Sequence, residues 1–214
     1  DQIKEIEKSN LVTIGNHSHS HEYLIDWSDS KIYSDIEASI KIFTENLGYS
    51  PQVFSYPFGE YSTNLKQITS NLNFKYAFGQ HSGAIDITKD LLELPRFPIN
   101  EKYGEIERFK SIINTLPFPY KNITPENRYL KNDENPPEVN IKFYDDLIDI
   151  KNITCYSNEG NKWRRSEIKF LNKNEILILI SEKFTTERGR INCSLLGNNG
   201  KWRWLGIQYV IAEL

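Results

Sequence analysis

A chain of 214 residues with 38% hydrophobic and 13% aromatic content can build one good core or two modest ones. Its 26 basic and 29 acidic residues are interspersed and leave a formal net charge of −3, so no broad positive field exists for nucleic acid or an anionic membrane surface. No apolar run approaches the roughly 18–20 residues that span a bilayer, and the longest, at 176–180, has strand length.

The chain begins at Asp1 inside an amphipathic pattern carried by Ile3 and Ile6, which reads as the tail of a helix. A native start is therefore not expected, and any signal peptide or anchor would lie upstream. Residues 11–14, with β-branched Val12, Thr13 and Ile14, predict a buried strand stopped by Gly15. Ile32, Ile36, Ile40, Phe43 and Leu47 recur at helical spacing, with Ser28 or Asp29 as N-cap and Gly48 just past the end. A strand is expected over 53–56, ended by a Pro57-Phe58-Gly59 turn. Ser62 then caps a helix that turns Leu65, Ile68 and Leu72 inward. Strands follow at 74–78 and, despite its prolines, 92–99, and a last helix covers 104–116. Strands alternating with helices predict an α/β fold with a parallel sheet or barrel.

From 117 to 137 prolines, asparagines and charges replace periodic apolar residues, the composition of a linker. Six strand-like runs follow within 138–214, the pattern of a small all-β sandwich. Two stretches echo each other: Ile153-Thr154-Cys155 leading to Lys162-Trp163-Arg164, and Ile191-Asn192-Cys193 leading to Lys201-Trp202-Arg203. They suggest two similar hairpins, and the two cysteines permit one disulfide without requiring it. Trp163, Trp202, Trp204, Tyr156 and Tyr209 supply either core or an aromatic platform for sugar rings, with Arg164, Arg165 and Arg203 beside them.

The sharpest chemical feature is Gly15-Asn16-His17-Ser18-His19-Ser20-His21, which holds three of the chain's four histidines. A lone loop histidine commonly does no more than hydrogen-bond to its neighbours. A cluster at the end of a strand instead matches what a zinc-type ion needs, neutral imidazoles on a rigid segment. An extended segment points His17, His19 and His21 one way, and a helical one puts His17 and His21 on one face. Both keep His17 with His21, and Ser18 and Ser20 can orient an imidazole.

This motif resembles the second motif of the polysaccharide deacetylases, the NodB-homology family or carbohydrate esterase family 4. Ser55-Tyr56-Pro57-Phe58-Gly59 resembles the family's third motif, and the Tyr-Pro-Phe-Gly-Glu-Tyr wording looks most like the branch acting on poly-N-acetylglucosamine. The resemblance covers about 1–116. It implies a partial, distorted (β/α) deacetylase barrel at 1–116, which the linker at 117–137 and the β-sandwich accessory domain at 138–214 follow. It implies His17 and His21 as ligands of a divalent metal, Zn2+ in kind, with His19 a spacer. The Phe58 backbone N–H would hold the oxyanion, and Tyr56, Pro57 and Tyr61 would contact substrate.

Three departures stand out. The family's Asp-Asp motif, which carries the general base and a metal ligand, is absent upstream of His17, and the only similar text is Phe143-Tyr144-Asp145-Asp146. Ser55 occupies the third motif's arginine position, leaving Arg96 as the candidate arginine. No late Leu-x-His motif is present, leaving His81 as the candidate general acid. The activity implied is metal-dependent N-deacetylation of an N-acetylhexosamine polysaccharide or glycoconjugate, outside the cytoplasm, at the periplasm or cell surface. The alternatives are a non-catalytic carbohydrate-binding protein on a degenerate deacetylase fold and a hydrolase of other specificity.

Overall fold

A computed structural model describes residues 2–144 and 150–212, which form two units: Asp1–Gly79 with Asp90–Leu94, and Gln80–Lys89 with Pro95–Leu214. In the first unit α1 (Gln2–Ile6) buries none of its side chains. Helix α2 (Asp29–Leu47) begins after Ser28, in extended conformation, and ends at left-handed Gly48, whose N–H bonds to the Thr44 carbonyl at 2.8 Å. Its inward face carries Ile32 and Ile36 and also two polar residues, Asp35 and Ser39. Strand β1 (Val53–Ser55) leads through the Pro57 turn to α3 (Thr63–Asn71), whose cap Ser62 accepts the Leu65 N–H through Oγ at 3.0 Å. Strand β2 (Tyr76–Phe78) then pairs with β1 in parallel.

The parallel series extends by single bridges, Asn16 to Phe54 on one side and Leu94 to Phe78 on the other. The strands expected at 11–14 and 92–99 are therefore corrected to one bridging residue each. Leu11 is 95% exposed, because only Asn16 reaches β1. Across 92–99, Pro95 and Pro98 lack the N–H a ladder needs. The core of this unit gathers Leu24, Ile32, Ile36, Phe54, Leu65 and Phe74. Buried Lys66 donates to Asp90 and Glu93, both at 2.8 Å, and ties the returning segment to α3.

The second unit opens with α4 (Ile106–Ile113), none of whose residues is buried, followed by β3 (Leu116–Pro117), β4 (Tyr120–Thr124) and β5 (Tyr129–Leu130). Next come β6 (Val139–Phe143), β7 (Thr154–Ser157), β8 (Arg164–Arg165), β9 (Glu167–Asn172), β10 (Glu175–Leu179), β11 (Arg188–Leu196) and β12 (Trp202–Ile211). One sheet is antiparallel in the order β4-β6-β10-β9. The other runs β3-β12-β11-β7-β8, with β5 also on β12. Ile141, Ile176 and Ile178 of the first sheet share one buried cluster with Ile191, Leu195, Ile207 and Tyr209 of the second. The echoed segments are adjacent antiparallel strands in which Cys155 faces Cys193, and the two form a disulfide.

Residues 117–137, expected as a linker, carry three strand segments and well-buried side chains. The Val210 N–H donates to the Arg128 carbonyl at 2.7 Å, and the Asn135 side chain exchanges two hydrogen bonds of 2.9 Å with the Phe184 backbone. Partners distant in sequence supply the order that local periodicity lacks. Within the same unit, residues 80–89 reach β12, where Gly206 leaves room for the backbone of Ser82: a Cβ on Gly206 would sit 2.4 Å from the Ser82 nitrogen.

Candidate active site

The histidine loop starts where Asn16 joins the parallel sheet. Its N–H donates to the Val53 carbonyl at 2.8 Å, and its carbonyl accepts the Ser55 N–H at 2.9 Å. The buried Asn16 side chain then organises the loop: Oδ1 accepts the Ser18 N–H at 3.0 Å and the Ser39 hydroxyl at 2.9 Å. Neither an extended segment nor a helix follows. Ser18 and His21 adopt left-handed backbone conformations, φ 65° and 56°, each costing a non-glycine residue roughly 1–2 kcal/mol. Hydrogen bonds offset that cost: the His21 N–H donates to Ser18 Oγ at 3.0 Å, and His19 and Ser20 donate to the two carboxylate oxygens of Asp35 at 3.0 and 3.1 Å.

The outcome still joins His17 to His21, with ring centroids 4.8 Å apart and planes inclined by 70°. His17 Nδ1 lies 2.6 Å from the Ser55 carbonyl oxygen. A carbonyl only accepts, so Nδ1 carries the hydrogen and Nε2 of neutral His17 has its lone pair outward, the arrangement a metal-ligating imidazole uses. His21 contacts Phe58 edge-on at 4.7 Å, and Phe58 stacks on Tyr23 at 4.2 Å. Phe58 is left-handed, φ 57°, in a turn closed by Gly59 N–H to the Tyr56 carbonyl at 2.8 Å. A cavity of about 570 Å3 adjoins the loop, bounded by Asn16, His17, His19, Ile14, Ile42 and Phe43.

His17, His21 and Phe58 are thus brought together in the first unit. Arg96 and His81 belong to the second, joined by the Arg96 N–H to the His81 carbonyl at 3.0 Å, and burial pushes the Arg96 guanidinium below its usual range. Tyr56, Pro57 and Tyr61, expected to contact substrate, are all buried. Tyr56 is fully enclosed, its hydroxyl donating to the Leu92 carbonyl at 2.9 Å, and burial raises its pKa. Alternation along β1 turns Phe54 and Tyr56 to the core, so the aromatics at the site's surface are Phe58 and Tyr23. Asp145 and Asp146, the chain's only text like an Asp-Asp motif, lie outside the described residues. In the second unit Tyr209 is core, whereas Tyr156, Trp163, Trp202 and Trp204 are exposed.

The two imidazoles fit part of a zinc-type ligand set. Among the described residues no group of three or more His, Cys, Asp or Glu side chains is placed to hold a metal ion. Tyr23, Asp35 and Ser39 were not singled out in the sequence. Asp35 and Ser39 could have been, since they occupy inward positions of a helix whose other inward positions are apolar.

Residues 1–77 match the family model of the polysaccharide deacetylases. Among solved structures, the chain is similar to the Streptococcus pyogenes deacetylase PplD in complex with acetate, at 22% identity over 52% of this chain and 48% of that one, TM-score 0.48. It is similar to a de-N-acetylase from Aggregatibacter actinomycetemcomitans, at 16% over 52% of each chain, TM-score 0.46, and to IcaB from Ammonifex degensii, at 20% over 47% of each, TM-score 0.41. The chain spans about half the length of these structures, and similarity at this level transfers neither substrate nor site. The histidine motif and the Tyr-Pro-Phe-Gly turn both lie within residues 1–77, the stretch that matches the polysaccharide deacetylase family model.

Proposed function

We propose that this chain forms part of a metal-dependent N-deacetylase acting on an N-acetylhexosamine polysaccharide or glycoconjugate, in the branch that uses poly-N-acetylglucosamine. The observation that carries this reading is the His17–His21 pair, with His17 oriented by the Ser55 carbonyl and His21 set against the Phe58 turn. The reaction adds water across the acetamide: the C–N bond breaks, acetate leaves and the sugar keeps a free amine.

His17 Nε2 and His21 would hold a Zn2+-type ion. Such an ion, when bound, polarises the carbonyl and lowers the pKa of a bound water. The Phe58 N–H, in a left-handed turn, is the oxyanion donor in this reading. Phe58 and Tyr23 present apolar ring surface beside the histidines. Arg96 is assigned to steady a catalytic carboxylate and His81 to protonate the leaving amine. The general base and the anionic metal ligand are not assigned to a residue.

The domain reading keeps a deacetylase barrel portion over 1–116 and an accessory β-sandwich over 138–214, supported by the core that the two sheets share. An extracytoplasmic location is supported by the Cys155–Cys193 disulfide, since such bonds persist in oxidising compartments. Among the described residues no helix is long and apolar enough to cross a membrane.

The test is acetate release from N-acetylglucosamine oligomers by the intact protein, before and after chelation and after Zn2+ is restored. Release that chelator abolishes and Zn2+ restores supports the reading. Oligomer binding without acetate release replaces it with the carbohydrate-binding alternative, and release indifferent to chelator removes the metal.

A further inference from the structure

Four consecutive backbone N–H groups, at Ser18, His19, Ser20 and His21, each donate to a side-chain oxygen. Two of the four acceptors, Asn16 Oδ1 and Ser18 Oγ, belong to the loop or its root. Asp35 reaches the loop's tip from outside, and it takes both tip amides on its two carboxylate oxygens. It sits on the buried face of a 19-residue helix, one position before Ile36, which is fully enclosed. Ser39, one turn further along, ties the root of the loop through Asn16. The loop is thus docked on α2 at two points, and the charged one lies between His17 and His21.

We infer that Asp35 is the positioning residue of the histidine loop: its carboxylate holds residues 19 and 20 so that His17 and His21 keep their mutual geometry. The inference rests on the proposed reading of His17 and His21 as metal ligands. An ionised carboxylate accepts both amides with charge-assisted bonds. An asparagine in its place offers one oxygen and turns an NH2 toward the second amide, so one tip contact is lost while side-chain volume is kept. With two left-handed residues to support, the loop then relaxes away from α2. Contacts that orient metal ligands in this way are worth about 10–100-fold in metal affinity.

The experiment measures Co2+ binding by the intact protein through its ligand-field absorption, alongside thermal melting and amide hydrogen exchange at His19 and Ser20. Asp35→Asn is expected to weaken Co2+ binding about 10–100-fold and to speed exchange at both amides. Lys66→Met, which destabilises the same unit without touching the loop, is expected to leave Co2+ affinity near wild type. Wild-type affinity and exchange in Asp35→Asn overturn the inference, and so does an equal loss of affinity in Lys66→Met. If Asp35→Asn does not fold, Asp35→Glu decides: it keeps both oxygens one methylene further out, and its affinity should fall below wild type with melting retained. Unchanged affinity in that variant also overturns the inference. Should the wild-type protein bind no Co2+, the metal reading fails on its own, and Asp35 is judged by exchange at His19 and Ser20 in the two variants. Unaltered exchange there refutes it.

Discussion

Replacing Lys66 with methionine removes the cation that joins α3 to residues 90–94. The lysine side chain is 10% exposed, and its Nζ bonds to Asp90 and Glu93, whose side chains are 42% and 16% exposed. Burial alone would lower the lysine pKa, but the two carboxylates outweigh it and the net direction is upward. Breaking a fully buried pair costs about 3–5 kcal/mol, because it strands the remaining charge. Solvent reaches Asp90 here, so the expected loss is nearer to 2 kcal/mol. For a cooperatively unfolding unit of this size that lowers the melting temperature by roughly 8–16 °C. The pH dependence has a definite sign. A lysine whose folded pKa is raised contributes stability that is fully present below its unfolded pKa, about 10.4, and lost as pH climbs through the folded value. The gap between wild type and Lys66→Met should therefore be constant from pH 7 to 9 and close above pH 10.5. Urea and thermal melts followed by near-ultraviolet circular dichroism read it. A variant as stable as wild type at pH 7, or a gap that does not close in alkali, refutes the reasoning.

Ser62→Ala removes the acceptor of the Leu65 N–H and should cost about 1 kcal/mol of first-unit stability, read from the same melts. Gly206→Ala pushes a methyl group into the backbone of Ser82; about 1–3 kcal/mol is the expected loss, with faster proteolysis within residues 80–89 as its local signature. Reducing Cys155–Cys193 should cost the second unit about 3–4 kcal/mol, given its sequence separation of 38, and leave the first unit's transition in place. A reduced protein with both transitions unmoved contradicts that assignment.

Where the chain carries its own punctuation, sequence and structure agree. The Ile32-Ile36-Ile40 stripe between Ser28 and Gly48 gives α2, and alternation over 139–143 gives β6. The repeated Ile-x-Cys text marks the two strands that lie side by side. Disagreement arises where distant residues decide. Residues 11–14 have β-branched character, yet only Asn16 finds β1. The 117–137 stretch has no periodicity, and its order comes from Val210, Phe184 and β12. The excursion of 80–89 into the second unit depends on the missing side chain of Gly206, which no local pattern announces. At the site, the histidine spacing puts His17 beside His21, and the two rings do lie 4.8 Å apart, although the loop between them is neither extended nor helical. Tyr56 and Tyr61 belong to a motif that the sequence links to substrate, and the structure packs both rings into the first unit's core. Asp35 was readable as an acid on an apolar helix face; what it holds was not, because its partners are backbone amides 15 and 16 residues away.

The central claim is that His17 and His21, and not His19, carry the chemistry of the loop. It is tested most directly by acetate release from N-acetylglucosamine oligomers by the intact Zn2+-loaded protein, with His17→Ala, His19→Ala and His21→Ala assayed side by side. The expected result is a loss of at least about 100-fold for His17→Ala and His21→Ala, with His19→Ala within a few-fold of wild type. Equal losses in all three, or activity surviving in His17→Ala or His21→Ala, would contradict it.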